Sequence, residues 1–106
     1  MSDSNTFQER LDELRKKLQE EVLDANWEML EEHYKRGSLV LVDPALDLYD
    51  IGARVALDDV ESVRSAMQKK QLIKVEAEHV KNLSQNKLEK NFNFIIVQPY
   101  VLIQKK

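Results

Sequence analysis

The end of the chain constrains the fold most. β-branched and aromatic residues dominate from Phe92 to Gln104, where Phe92, Phe94 and Ile96 alternate with their neighbours and Tyr100 and Leu102 alternate with Val101 and Ile103. Side chains on a strand point to opposite faces in turn, so this period of two predicts strand. Pro99 has no N–H to give a ladder, and the strand therefore sits at an edge there or splits into two.

Helical patterns occupy most of the remainder. Thr6 and Glu9 form a capping-box pair, after which Phe7, Leu11, Leu14, Leu18 and Val22 trace one apolar face. A second helix is expected from a cap at Asp24–Asn26 to about Arg36, with Trp27, Leu30 and Tyr34 inward and Gly37 as the left-handed residue that ends it. Ser38–Val42 reads as a strand buried on both faces. Asp43-Pro44 then opens a third helix, aspartate as cap and proline in the first turn, with Leu48, Ile51 and Val55 inward. Gly52 breaks that pattern and costs about 1 kcal/mol against alanine unless a neighbouring backbone packs close. Asp58 and Glu61 form the next capping pattern, for a helix that turns Val60, Val63 and Met67 inward and ends at Lys69-Lys70. Gln71–Val75 reads as a brief strand, Glu76 to about Gln85 as a short helix, and Ser84–Asn91 as loop. The expected fold is α+β: about five helices on a sheet of two to four short strands, as a single domain over 1–106 with residues 1–6 a flexible N-terminus.

Three segments in this order, Leu39-Val40-Leu41-Val42-Asp43-Pro44-Ala45-Leu46-Asp47-Leu48, Ala56-Leu57-Asp58-Asp59-Val60 and Ile95-Ile96-Val97-Gln98-Pro99-Tyr100-Val101-Leu102, resemble a family of short uncharacterised bacterial proteins known only as a domain of unknown function. The resemblance covers the chain from Leu11 onward. It departs from the family pattern at Lys74-Val75-Glu76, where members often carry Lys-Pro-Thr, and that bears on where the following helix starts. The resemblance implies identity without implying an activity.

The residues themselves exclude many chemistries. With no cysteine there is no thiolate nucleophile, disulfide or iron–sulfur ligand, and a reducing, cytoplasmic location is expected. Neither a basic, hydrophobic leader nor an apolar run long enough to cross a bilayer is visible. Two glycines fifteen positions apart, Gly37 and Gly52, cannot make a phosphate-binding loop. His33 and His79 lack the spacing of a metal pair, and no Ser/His/Asp arrangement is recognisable. No cofactor or catalytic residue is expected, and the balance leans away from an enzyme.

What remains is charge. Residues 1–63 carry sixteen acids and seven bases, a net −9, whereas residues 64–106 carry three acids and nine bases, a net +6. Such asymmetry can steer a charged partner or favour head-to-tail self-association, unless the fold interleaves the two halves. Asp43, Asp47 and Asp50 are the candidate cluster: on one helix they would share a face and offer hard oxygen ligands to Mg²⁺, Mn²⁺ or Ca²⁺. Equally, Asp43 can cap, Asp47 can complement the helix dipole and Asp50 can pair with Arg54. Lys90-Asn91-Phe92-Asn93-Phe94-Ile95 has the aromatic spacing of an RNA-binding strand, but asparagines stand where glycines are expected and the chain is acidic overall, so nucleic acid is disfavoured. The leading expectation is a non-enzymatic protein-interaction or regulatory module, with a protein partner or a homodimer, docking through the acidic face at Asp47 and Asp50 or the edge at Pro99 and Tyr100. Single-stranded nucleic-acid binding through the basic C-terminal part and a divalent-metal site at the acids are the alternatives.

Overall fold

The computed structural model describes residues 3–85 and 88–106. In chain order the elements are α1 (Asp3–Glu21), β1 (Leu23–Ala25), α2 (Trp27–Lys35), β2 (Leu39–Val42), α3 (Leu48–Ala56), α4 (Val60–Gln68), β3 (Leu72–Lys74), α5 (Ala77–Leu83), β4 (Phe92–Val97) and β5 (Tyr100–Lys105). The class is α+β as expected, but the sheet has five strands rather than two to four, in the order β1-β4-β5-β2-β3. All neighbouring pairs are antiparallel except β2 and β5, which run parallel with Leu39 opposite Val101 and Leu41 opposite Ile103.

Pro99 splits the C-terminal segment into a hairpin. Val97 pairs with Tyr100, so the connection is Gln98-Pro99 alone, and its peptide bond is cis. Placed in the turn, the proline removes no ladder hydrogen bond. The additional strand, β1, is three residues at the edge, with Asp24 opposite Asn93. Nothing so short shows a period, yet Ala25 is fully buried and Lys106 reaches Asp24 at 2.7 Å, joining the acidic and basic halves of the sequence.

Helices cover both faces of the sheet, which explains why β2, inside it, is apolar throughout and why β4 and β5 carry apolar residues on both faces. On one face Leu11 and Leu18 of α1, Leu48, Ile51 and Ala53 of α3 and Ala66 of α4 pack on Val42, Leu72, Ile95, Val97 and Leu102. On the other, Trp27 and Leu30 of α2 and Leu83 of α5 pack on Leu39, Val75, Phe92, Phe94, Val101 and Ile103. Burying a side chain such as Leu30, only 1% exposed, contributes about 1.5–3 kcal/mol. Phe92 and Phe94 are buried in this second layer, so neither can stack on a base.

Several boundaries move for identifiable reasons. Helix α1 already includes Thr6, so the Thr6/Glu9 pair lies inside the helix rather than at its start. Asn26 caps α2, accepting from Met29 N at 2.9 Å. Gly37, at φ +75°, closes that helix with Gly37 N donating to Tyr34 O and Ser38 N to His33 O. Asp43-Pro44 does not open a helix. Asp43 Oδ1 accepts from Ala45 N at 2.8 Å and its carbonyl from Leu46 N at 3.0 Å, closing a turn, and α3 begins at Leu48 under Asp47. Asp58 likewise caps nothing: at φ +56° it terminates α3, while Asp59 caps α4 by accepting from Ser62 N. Helix α5 starts at Ala77 with Glu76 as cap, and Glu76 N donates to His79 Nδ1 at 2.9 Å. Among the described residues no helix is long and apolar enough to cross a membrane.

Candidate functional site

Helix α4 separates two surfaces of opposite character. Its Ser62/Ser65 flank faces a polar groove against α3. Its Val60/Met67 flank faces outward beside Tyr100, with Val63 between them partly buried against the core.

A ladder of ion pairs runs along the polar side. Arg15 of α1 donates from Nε to Asp50 Oδ1 at 2.9 Å, and its Nη2 contacts the same oxygen. Asp50 Oδ2 accepts from Arg54 Nε at 3.0 Å, and Arg54 Nη1 donates to Asp59 Oδ2 at 2.8 Å. One chain of alternating charge therefore ties α1, α3 and the cap of α4 together. It lies beside a cavity of about 370 Å³ that Asp47, Ser62, Ser65 and Gln71 also line.

The ladder's pKa shifts follow from its partners. Burial pushes the Asp50 carboxyl up, but the guanidinium hydrogen bonds of Arg15 and Arg54 outweigh it and hold Asp50 below the ordinary 3.8. Asp59 is lowered by its hydrogen bond with Ser62 first and by Arg54 second. Arg54 is raised, chiefly by Asp59 and then by Asp50. Because both folded-state carboxyl pKa values lie below the unfolded ones, the unfolded chain binds protons first on acidification. The ladder's contribution is complete above about pH 4 and is lost as the pH falls through the folded values. The expected outcome is a thermal midpoint that drops steeply below about pH 4, as read by circular dichroism. A midpoint indifferent to acid would remove the ladder from the stability account.

The three candidate acids do not converge. Asp43 lies in the β2–α3 turn, and its carbonyl accepts from Gln104 Nε2 at 3.0 Å. Asp47 Oδ1 accepts from Tyr49 N at 2.9 Å and Asp50 N at 3.2 Å as the α3 cap. Asp50 is the centre of the ladder. The shared helical face fails because the helix begins four residues after Pro44, leaving Asp43 off it. Among the described residues no group of three or more His, Asp or Glu is placed to hold a metal ion.

On the other flank the expectation for α4 holds in part at Val63, which packs partly buried against the core, and fails at Val60 and Met67. Val60 is 56% exposed and Met67 55%, while Ala66 is the buried residue of this helix. Tyr100, 45% exposed, stands beside them. Val55, Val63, Met67 and Tyr100 line two adjoining hollows of about 430 and 330 Å³, the first extending to Val40, Leu72 and Lys74 and the second to Val60 and Arg64. The spacing of Val60, Val63 and Met67 did reveal a stripe. What it could not reveal is which face the buried Ala66 would claim.

A family model described as "Protein of unknown function (DUF2288)" matches residues 13–105. The chain belongs to the DUF2288 family. Its fold is similar to the NMR solution structure of PA1075 from Pseudomonas aeruginosa, at 31% identity and a TM-score of 0.76, over 88% of this chain and 84% of that one. No curated protein matches. Membership of DUF2288 agrees with the resemblance carried by the three segments and brings no activity with it.

Proposed function

We propose that this DUF2288 chain is a small non-enzymatic protein-interaction module of the cytoplasm, and that its docking surface is the outward stripe of α4 together with Tyr100 and the adjacent turn at Pro99. One observation carries the reading: Val60, Met67 and Tyr100 are each about half exposed around two apolar hollows. Contiguous apolar surface of this kind costs solubility unless something covers it. The acids that suggested metal binding support the reading from the other side, since Asp43, Asp47 and Asp50 each bind a backbone amide or an arginine. Asp47 and Asp50, the other candidates for a docking face, are engaged in that way and lie across α4 from the stripe.

The test is affinity capture on immobilised wild type, Met67→Lys and Glu31→Lys, the last an exposed change on α2. Specific proteins retained by wild type and Glu31→Lys, and lost by Met67→Lys, are the expected result. Identical retention on all three columns, or none on any, would defeat the proposal.

A further inference from the structure

We infer that the first of the two hollows binds a small amphipathic carboxylate, a fatty acid of medium chain length, with its tail between the sheet and the helix layer and its head group on Lys74. This goes beyond the protein-docking reading, since it concerns the interior of the hollow and is tested without any protein partner.

Strand register builds the cavity. Val40 of β2 stands opposite Lys74 of β3 on one side and Leu102 of β5 on the other. The period of two adds Leu72 and Tyr100 to the same sheet face. Val55 of α3 and Val63 of α4 form the opposite wall, and a space of about 430 Å³ stays unfilled between them. Leu72 and Leu102 are buried, so the hollow reaches down to the core between the layers. Gly37 lies at one end, where a Cβ would stand 3.8 Å from Lys74 Nζ, which places the ammonium at that end. A cavity of this size takes a small organic molecule, with apolar walls for its body and a few polar groups to orient it.

Charge chooses the head group. Among the described residues that line this hollow Lys74 alone is charged, and it is in no ion pair with any of them or with the rest of the described chain. A cationic guest would be repelled there, whereas a carboxylate accepts the ammonium's N–H donors. A bare inorganic anion would leave the apolar walls unused. The second hollow carries Asp58 and Asp59 with Arg64, so the head group belongs at the Lys74 end and the tail runs along Val55 and Val63. Lys74 is exposed, so its attraction is screened and sets preference more than affinity. Burial of the tail supplies most of the binding and places octanoate at a dissociation constant of about 0.1–1 mM.

Titration of the full chain with octanoate, octanol and octylammonium, followed by NMR amide and methyl shifts, tests this. The expected result is a saturable set of octanoate shifts confined to Val40, Val55, Val63, Leu72 and Leu102, with octanol weaker and octylammonium weakest. Lys74→Gln should weaken octanoate about fivefold and leave octanol unchanged. Lys74→Glu should reverse the order and favour octylammonium, a gain that damage to the fold would not produce. No shift up to about 10 mM, shifts that scatter or never saturate, octanol bound as tightly as octanoate, or a Lys74→Glu variant that still prefers octanoate overturns the site. Capture on the immobilised chain is scored separately. Proteins lost by Met67→Lys without an octanoate site refute the ligand alone, and an octanoate site without captured proteins refutes the docking reading alone.

Discussion

Ile103→Ala is expected to lower the unfolding free energy by about 2–5 kcal/mol, with an unchanged denaturant slope. Ile103 is fully buried in β5, the middle strand of the five, with β4 on one side and β2 on the other. It lies opposite Phe94 across one ladder and Leu41 across the other, and packs in the same cluster as Trp27 and Leu30. A sheet centre held from both sides collapses little around a cavity, so the loss belongs to the upper part of that range. Urea titration measures it. A cost under about 1 kcal/mol would mean that α2 does not pack on the sheet as described.

Gly52→Val is expected to destabilise by about 1–3 kcal/mol through overpacking, although valine is the better helix former. A Cβ at Gly52 would stand 2.6 Å from Ile95 Cδ1 and 3.1 Å from Leu18 Cδ1. Both are ends of flexible side chains, so Gly52→Ala is the informative control. Its gain in helix propensity of about 1 kcal/mol offsets a small displacement of the two methyls, leaving stability close to wild type. Valine adds two further methyls where α1 and β4 already meet α3. Equal stability of the two variants would show that the close approach does not exist.

These two positions also show what the sequence disclosed. Gly52 looked anomalous inside an apolar helical pattern, and what stands close to it is not the neighbouring backbone expected but the side-chain methyls of Ile95 and Leu18. Alternation in Phe92–Gln104 and the Asn26 and Gly37 signals located strands and caps because each acts through a local rule, while Pro99 left an edge position and a split both open, and the structure makes it a split. The misplacements arose where two local rules were both satisfied. Asp43-Pro44 suits a helix start and a turn equally, and Asp47 stood ready as the better cap. Asp58 and Asp59 both suit a cap, but only a residue ending α3 at positive φ lets the chain enter α4 at once. Strand β1 was invisible because three residues carry no period and its pairing with β4 is set by partners far along the chain.

The candidate site was legible in part. Asp50 with Arg54 followed from i, i+4 spacing, but Arg15 belongs to another helix and depends on how α1 lies against α3. The stripe on α4 was visible while its direction was not, since a period of 3.6 names a face without saying what covers it.

On the function proposed above, the acids around α3 hold the fold and docking falls to the other flank of α4. The most direct test is the thermal midpoint of Asp50→Asn beside wild type at about pH 7 and about pH 3. Losing charge-assisted bonds to Arg15 and Arg54 costs about 1–2 kcal/mol, so the variant should melt about 5–10 °C lower at neutral pH, with a gap that narrows as the pH falls below the ordinary carboxyl range. A variant that melts at or above wild type at neutral pH would contradict the claim, because that is how a carboxylate kept for function at a cost to stability behaves.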